Sequence, residues 1–348
     1  MAGRWCVCLL LVCLLLAPLA AWAEQVKLRI STQLPITSPL GVNLMQFKQE
    51  VEGKTGQTVA FEIFDKARLY QDNQVLEAVA SGAIEMGVIT LVQFHKKVRA
   101  VEVFDQPFLF NFEALVRAAT NPDGELRKLL DNAVVETTGA RVLWWQAFGF
   151  PVIFAKGQDA RTPAAIRGKR IRVAGQNQAN IIKSCGGIPV RIPAGKQLQA
   201  VKDGSIDMTM SGITSVADRD LWTGTDTITR TEHSIFEFIV IINEKVWQSF
   251  KQDLRAIIAA AARRAEQDLR RQVADVEAKA YAFARDKGMT VHELTPDEVA
   301  DWRACSAGVI DDFMHSAGEL GSRVMAAYGK LRTDPCCTSG PKGRFTRR

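Results

Sequence analysis

From Val246 to Lys287 the chain contains neither proline nor glycine. Alanine is frequent there, and Glu, Lys, Arg and Gln fill many of the remaining positions. Such a run has strong intrinsic helix propensity and predicts one or two long helices. A helix of that reach can lie across more than one packed unit, and the preceding sequence supplies two. In the first, Val26, Leu28 and Ile30 alternate as a strand, and Ser38-Pro39 opens a helix with Ser38 as N-cap. Strand Thr58–Phe64, helix Asp72–Ala80 and strand Glu85–Ile89 complete a β-α-β-α-β order. The second unit brings strands Arg141–Trp145, Pro151–Ala155 and Lys169–Val173. A helix over Asn177–Ser184, strand Val190–Ile192, helix Lys196–Val201 and strand Ile206–Met210 follow. Ser234–Ile242 is one more apolar strand. Thr295-Pro296-Asp297-Glu298 is a capping box that starts a last helix running towards Ala317. Strands alternating with helices predict an α/β fold with largely parallel sheets. A length of 348 residues also favours two compact units over one.

The N-terminus reads as an address rather than as fold. Met1–Ala23 carries one charge, Arg4, then an apolar run from Val7 to Ala20 and a small-x-small site at Ala21-Trp22-Ala23. That is the layout of a secretory signal peptide, with cleavage expected after Ala23. The run is too short for a good bilayer span, which disfavours an uncleaved anchor. The protein is therefore expected outside the cytoplasm.

Export reassigns the charge and the cysteines. The formal net charge is +6. Arg4 belongs to the signal, and Leu331–Arg348 carries +4, leaving Glu24–Lys330 at +1. A body so close to neutral is no nucleic-acid footprint. Residues 331–348, rich in Pro, Gly, Ser and Thr, read as a disordered basic tail. Cys185, Cys305, Cys336 and Cys337 remain, with no C-x-x-C and no zinc-like Cys/His spacing. A disulfide is permitted, and several pairings stay open.

No G-x-S-x-G elbow, P-loop, G-x-G-x-x-G or H-E-x-x-H occurs, so neither a catalytic residue, a metal nor a cofactor is expected. Two α/β units, export and no catalytic motif fit a ligand-binding clamshell that closes by hinge motion.

At this point the sequence resembles a known family, the extracytoplasmic solute-binding proteins of tripartite ATP-independent periplasmic (TRAP) transporters, the DctP-like group. Leu28-Arg29-Ile30-Ser31 with Leu34-Pro35 and Ser38-Pro39 is similar to the family's opening. Leu76-Glu77-Ala78-Val79 and Gly82-Ala83-Ile84-Glu85-Met86 resemble its second helix and third strand. Phe104-Asp105-Gln106-Pro107-Phe108-Leu109-Phe110 resembles "DLPFLF". Most specific is Arg161-Thr162-Pro163-Ala164-Ala165-Ile166-Arg167-Gly168-Lys169-Arg170-Ile171-Arg172-Val173, similar to "RTPADLKGLKIRV". Asp203-Gly204-Ser205-Ile206-Asp207 and the stretch from Glu232 to Trp247 continue the likeness, which spans about Lys27 to Ala327.

The resemblance implies a periplasmic-binding-protein-like clamshell of two α/β lobes with one long helix spanning both. Carried over, lobe I is 24–146 plus 237–277 and lobe II is 147–236 plus 278–330. It also implies a periplasmic receptor, expected as a monomer, that captures an organic acid anion and delivers it to membrane permease subunits. A sensor docking on a signalling receptor is the alternative, and an enzyme on the same scaffold is a third reading.

The resemblance places the carboxylate-binding arginine at Arg172. The chemistry fits, since a planar guanidinium matches a carboxylate with two parallel charge-assisted hydrogen bonds. Ile171 and Val173 take one face of the strand, leaving Arg170 and Arg172 on the other. Gln33, Asp72, Thr90, Gln93 and Ser211 are further ligand-contact positions. A second arginine, in the "GFR" segment of many relatives, has no counterpart between Arg141 and Arg161. Aromatics surround that gap: Trp144, Trp145, Phe148 and Phe150. Phe148 and Phe150 are expected to line the cleft, favouring a monocarboxylate with an apolar or aromatic body.

Overall fold

The computed structural model describes residues 25–110 and 112–338. The expected signal peptide lies outside them, as do residues 339–348 of the expected tail. Eleven strands form two sheets among the described residues: β1 (Val26–Ser31), β2 (Val59–Phe64), β3 (Met86–Thr90), β4 (Ala140–Gly149), β5 (Pro151–Ala155), β6 (Arg170–Val173), β7 (Ile188–Arg191), β8 (Met208–Gly212), β9 (Thr227–Arg230), β10 (Phe236–Asn243) and β11 (Thr290–Glu293). The first sheet runs β2-β1-β3-β10-β4, and the second runs β11-β9-β5-β8-β6-β7. Strands β1, β2 and β3 are parallel to one another, as are β6, β7 and β8. This is the two-unit α/β architecture that the alternating pattern predicts.

Local chemistry explains the first elements. Leu28 and Ile30 are buried, while Arg29 faces the other side and pairs with Glu85. The Ser38 hydroxyl accepts from Gly41 N at 3.1 Å and starts the helix Pro39–Lys54. Thr295 and Glu298 form the reciprocal capping box that opens the helix Pro296–Ser316.

The chain crosses between sheets three times, from β4 to β5, from β9 to β10 and from β10 to β11. The helix Gln252–Asp286 spans the same divide. Its N-terminal half sets Ile258, Ala261, Ala262, Ala265 and Leu269 into the first sheet's core beside Trp144 and Phe47. Its C-terminal half sets Ala280, Tyr281 and Ala284 into the second sheet's core beside Phe154 and Ile228. Fully burying a side chain such as Ile258 is worth about 1.5–3 kcal/mol, so each half is anchored independently. Buried charges pin the helix along its length. Glu266 accepts from Arg127 and from Trp145 N, Glu237 pairs with Arg270, and Glu277 accepts from Phe150 N.

Two expectations change here. Residues 331–338 are not a disordered tail. Leu331–Thr333 complete the helix Gly318–Thr333, Pro335–Thr338 form another turn, and Cys337 is buried in the core with Phe313, Val324 and Tyr328. The physical reason is that amphipathic packing of Val324 and Tyr328 carries the helix past Lys330. The open cysteine pairing resolves to a disulfide between Cys185 and Cys305, joining the end of helix Gln176–Ser184 to helix Pro296–Ser316. No helix of the described residues is long and apolar enough to cross a membrane.

Candidate functional site

A cavity of about 220 Å³ opens between the two sheets. Its walls come from the carboxyl ends of β1, β3, β6 and β8, where open α/β sheets usually hold ligands. Its aromatic lining comes from the crossing strands, with Phe148 of β4 and Phe236 and Phe238 of β10. Gly212 lets the Phe148 ring lie close to β8, because a Cβ there would fall 2.5 Å from the ring edge.

Arg172 is the most constrained charge in the cleft. Its neighbours Ile171 and Val173 are in the core, and alternation turns Arg172 to the opposite face. The side chain is only 4% exposed. Its Nε donates to Ile192 O and its Nη1 to Met210 O, both at 2.8 Å. Two carbonyls thus fix the plane of the fork. Burial, and after it the positive Arg219, draws its pKa down to about 9, and Asp72 opposes the shift. It stays charged at neutral pH. Arg170, on the same strand face, is exposed and paired with Asp207 at 2.8 Å.

On the facing wall, Asp72, Thr90 and Gln93 form one hydrogen-bonded set. Asp72 Oδ1 accepts from Thr90 N at 3.0 Å, and Oδ2 accepts from the Thr90 hydroxyl and from Gln93 Nε2. Burial raises the Asp72 pKa, and those hydrogen bonds together with Arg172 oppose it. Gln33, beyond the end of β1, completes that wall. Seven of the eight positions singled out in the sequence therefore line one cavity: Gln33, Asp72, Thr90, Gln93, Phe148, Arg172 and Ser211.

Phe150 is the correction. It packs in the first core and borders a separate cavity of about 30 Å³ beside Glu237 and Arg270. Simple alternation would put Phe148 and Phe150 on one face. Gly149 intervenes at φ 97, and the pairing register slips between Phe236 and Glu237, so the two rings part. Trp144 and Trp145 are core residues, with indole N–H groups donating to Asn43 and Asp131.

The residue that sequence reasoning missed is Arg219. It follows the short turn Ser215–Asp218 and lines the cavity next to Arg172. Its Nη1 donates to Ser211 Oγ at 3.0 Å and to Ser215 Oγ at 2.7 Å. Burial lowers its pKa to about 10, opposed by Asp218 and Asp72. No arginine stands in the segment between Arg141 and Arg161, as expected, but a different element brings Arg219 to the cavity. No local pattern announces it. The one clue is its place just after a strand whose carboxyl end faces the cleft. Among the described residues, no group of His, Cys, Asp and Glu is arranged to hold a metal ion.

The family described as bacterial extracellular solute-binding protein, family 7 (DctP), matches residues 30–317. The C4-dicarboxylate-binding periplasmic protein DctP of Rhodobacter capsulatus is 25% identical over 311 residues, covering 88% of this chain and 91% of its own. Among solved structures, DctP7 of Bordetella pertussis, an extracytoplasmic solute receptor binding pyroglutamic acid, superposes with a TM-score of 0.82 at 19% identity, over 87% of this chain and 99% of its own. A TRAP periplasmic solute-binding protein of Sulfurospirillum deleyianum with bound succinate gives 0.80 at 22% identity, with the same coverage.

Proposed function

This chain belongs to bacterial extracellular solute-binding protein family 7 (DctP), the solute receptors of TRAP transporters, and on that premise we propose that it captures an organic acid anion between its lobes. Arg172 is the anchor. The observation that carries this is a buried guanidinium whose plane is held by two carbonyls and which has no carboxylate partner among the described residues. A buried charge left without its counter-ion is costly, and a ligand carboxylate supplies the missing partner. The C4-dicarboxylates and pyroglutamic acid named for relatives are acids of this kind.

In this reading Gln33, Asp72, Thr90 and Gln93 close over the ligand from the first lobe, and Phe148 packs against its carbon frame. The first lobe is the body built on β1–β4 and β10, and the second is the body built on β5–β9 and β11. The receptor works in the periplasm after removal of its signal peptide and hands the ligand to membrane permease subunits. It acts by binding and release rather than by catalysis.

The test is Arg172→Ala, examined by calorimetry against the acid identified by mass spectrometry in the purified receptor. High-affinity binding should vanish while the melting temperature without ligand is kept. Unchanged affinity would remove Arg172 as the anchor.

A further inference from the structure

We infer that Glu277 is a positioning residue for ligand capture: it holds the hinge at Gly149 in the setting that keeps the lobes together and Phe148 in the cleft. This rests on the receptor reading and deepens it. Two strand connections join the lobes, residues 149–151 between β4 and β5 and residues 231–235 between β9 and β10. They lie side by side, since Glu232 N donates to Pro151 O at 3.3 Å. Each carries one residue in the left-handed region, Gly149 at φ 97 and Glu232 at φ 43. Such settings persist only where the surroundings hold them, and hinges turn on a few residues of this kind.

Alternation gives the connecting ribbon two faces. Phe148, Phe236 and Phe238 face the ligand cavity, while Ala147, Gly149, Ile235 and Glu237 line the cavity of about 30 Å³ behind them. A rotation that opens the cleft in front narrows the space behind, so whatever fills the rear limits opening. Glu277 stands there. Its Oε1 accepts from Phe150 N at 2.9 Å, and a Cβ on Gly149 would fall 2.2 Å from that same oxygen. The carboxyl group lies against bare Cα and gives the left-handed turn its partner, in a buried place where a hydrogen bond is stronger than in water. One helical turn on, Tyr281 faces the same side, with its ring centroid 4.5 Å from Arg230 Cζ. Arg230 in turn donates to Glu232 at 3.0 and 2.6 Å. Two residues of one helix thus brace the left-handed residue of each connection. That helix is anchored in both cores, so the brace is fixed to both lobes. Only Gly149 stands between Phe148 in the cleft and Phe150 in the first core, so its rotation decides whether Phe148 meets the ligand.

The test is calorimetry and stopped-flow tryptophan fluorescence on the full exported receptor, stripped of co-purified ligand. The probes are the mono- and dicarboxylates of two to six carbons, benzoate and glucuronate, and the tightest binder is carried into the variants. Glu277→Ala should weaken it roughly ten- to hundredfold, with most of the loss in a faster dissociation rate. Glu277→Gln keeps an acceptor oxygen for Phe150 N and should stay within about threefold of the parent. Ile258→Val trims the first core on the same helix and should lower the melting temperature with affinity kept. Unchanged affinity in Glu277→Ala would overturn the inference and leave the receptor reading standing. So would a Glu277→Gln variant as weak as Glu277→Ala, or an equal loss of affinity in Ile258→Val, which would mark plain destabilisation. If Glu277→Ala fails to fold, Gly149→Ala decides: its Cβ displaces the Glu277 carboxyl group and should weaken binding by at least about tenfold, and unchanged affinity overturns the inference. Silence of the parent towards every probe overturns the receptor reading and this inference with it.

Discussion

Gly175 presents bare backbone to Val92 across the cleft: a Cβ on Gly175 would lie 2.9 Å from Val92 Cβ. Gly175 follows β6 in the second lobe, and Val92 follows β3 in the first. Close by, Asn177 Nδ2 donates to Asp105 O at 2.6 Å. The lobes therefore meet at a point where no side chain fits, beside the cavity that holds Arg172. Because the crowded atom is a Cβ, next to the backbone, it cannot swing aside.

Gly175→Ser follows directly as a probe of closure. Gly175 is the N-cap of helix Gln176–Ser184, and serine is a preferred N-cap, so the helix start is kept. The added Cβ overpacks only the state in which the lobes touch, at a cost of about 1–3 kcal/mol. Apparent ligand affinity should fall roughly ten- to hundredfold. The melting temperature without ligand should hold or rise. Calorimetry paired with thermal melting checks this, and an unchanged affinity would show that closure does not need the contact.

Arg172→Lys separates charge from geometry. Lysine keeps the positive charge but lacks the planar fork that Ile192 O and Met210 O hold in place. Losing one charge-assisted hydrogen bond is worth about 1.5–3 kcal/mol, so affinity should drop at least about tenfold with the fold intact. Titration calorimetry on the Arg172→Lys variant checks this, and binding equal to that of the parent would mean that charge alone suffices.

The repeating patterns were legible in the sequence, and the interruptions were not. Alternation around Ile171 and Val173 orients Arg172 correctly because β6 is a regular strand. The same rule misplaces Phe150, because Gly149 at φ 97 and a register slip break the strand just there. Asp72, Thr90 and Gln93 could be named as neighbours of a ligand, but their bonds to one another are long-range and leave no trace in local composition. Arg219 was invisible for a related reason: its position depends on Ser211 and Ser215 turning the chain back, which no periodicity encodes. The length of the Gly318–Thr333 helix was hidden by the proline, glycine and serine of the residues that follow it.

The disulfide should act on stability and not on recognition. Cys185 and Cys305 lie 120 residues apart in sequence and away from the cavity. Closing so long a loop restricts the unfolded chain, and removing such a bond typically costs about 2–5 kcal/mol. The double variant Cys185→Ser, Cys305→Ser should melt at lower temperature, while its affinity at about 25 °C stays within a few-fold of the parent. Denaturant titration and calorimetry check the two halves separately. A large loss of affinity in a folded variant would tie the disulfide to the cleft.

Asp105 sets an alkaline weakness at the lobe contact. Burial pushes its carboxyl up to about 8, the negative Glu102 adds to the shift, and the nearby Gln178 side chain opposes it. Its Oδ1 is buried without a hydrogen-bond partner. The folded pKa lies above the ordinary carboxylate value, so the folded state binds this proton more tightly than the unfolded chain does. The associated stability is complete below about pH 4 and is lost as pH rises through about 8. Asp105→Asn removes the ionisation while keeping the shape. Its melting temperature should exceed that of the parent at about pH 8.5, and the gap should narrow steadily towards about pH 5. Melting curves at half-unit steps decide the matter, and parallel curves for the two proteins would mean that Asp105 does not titrate in this range.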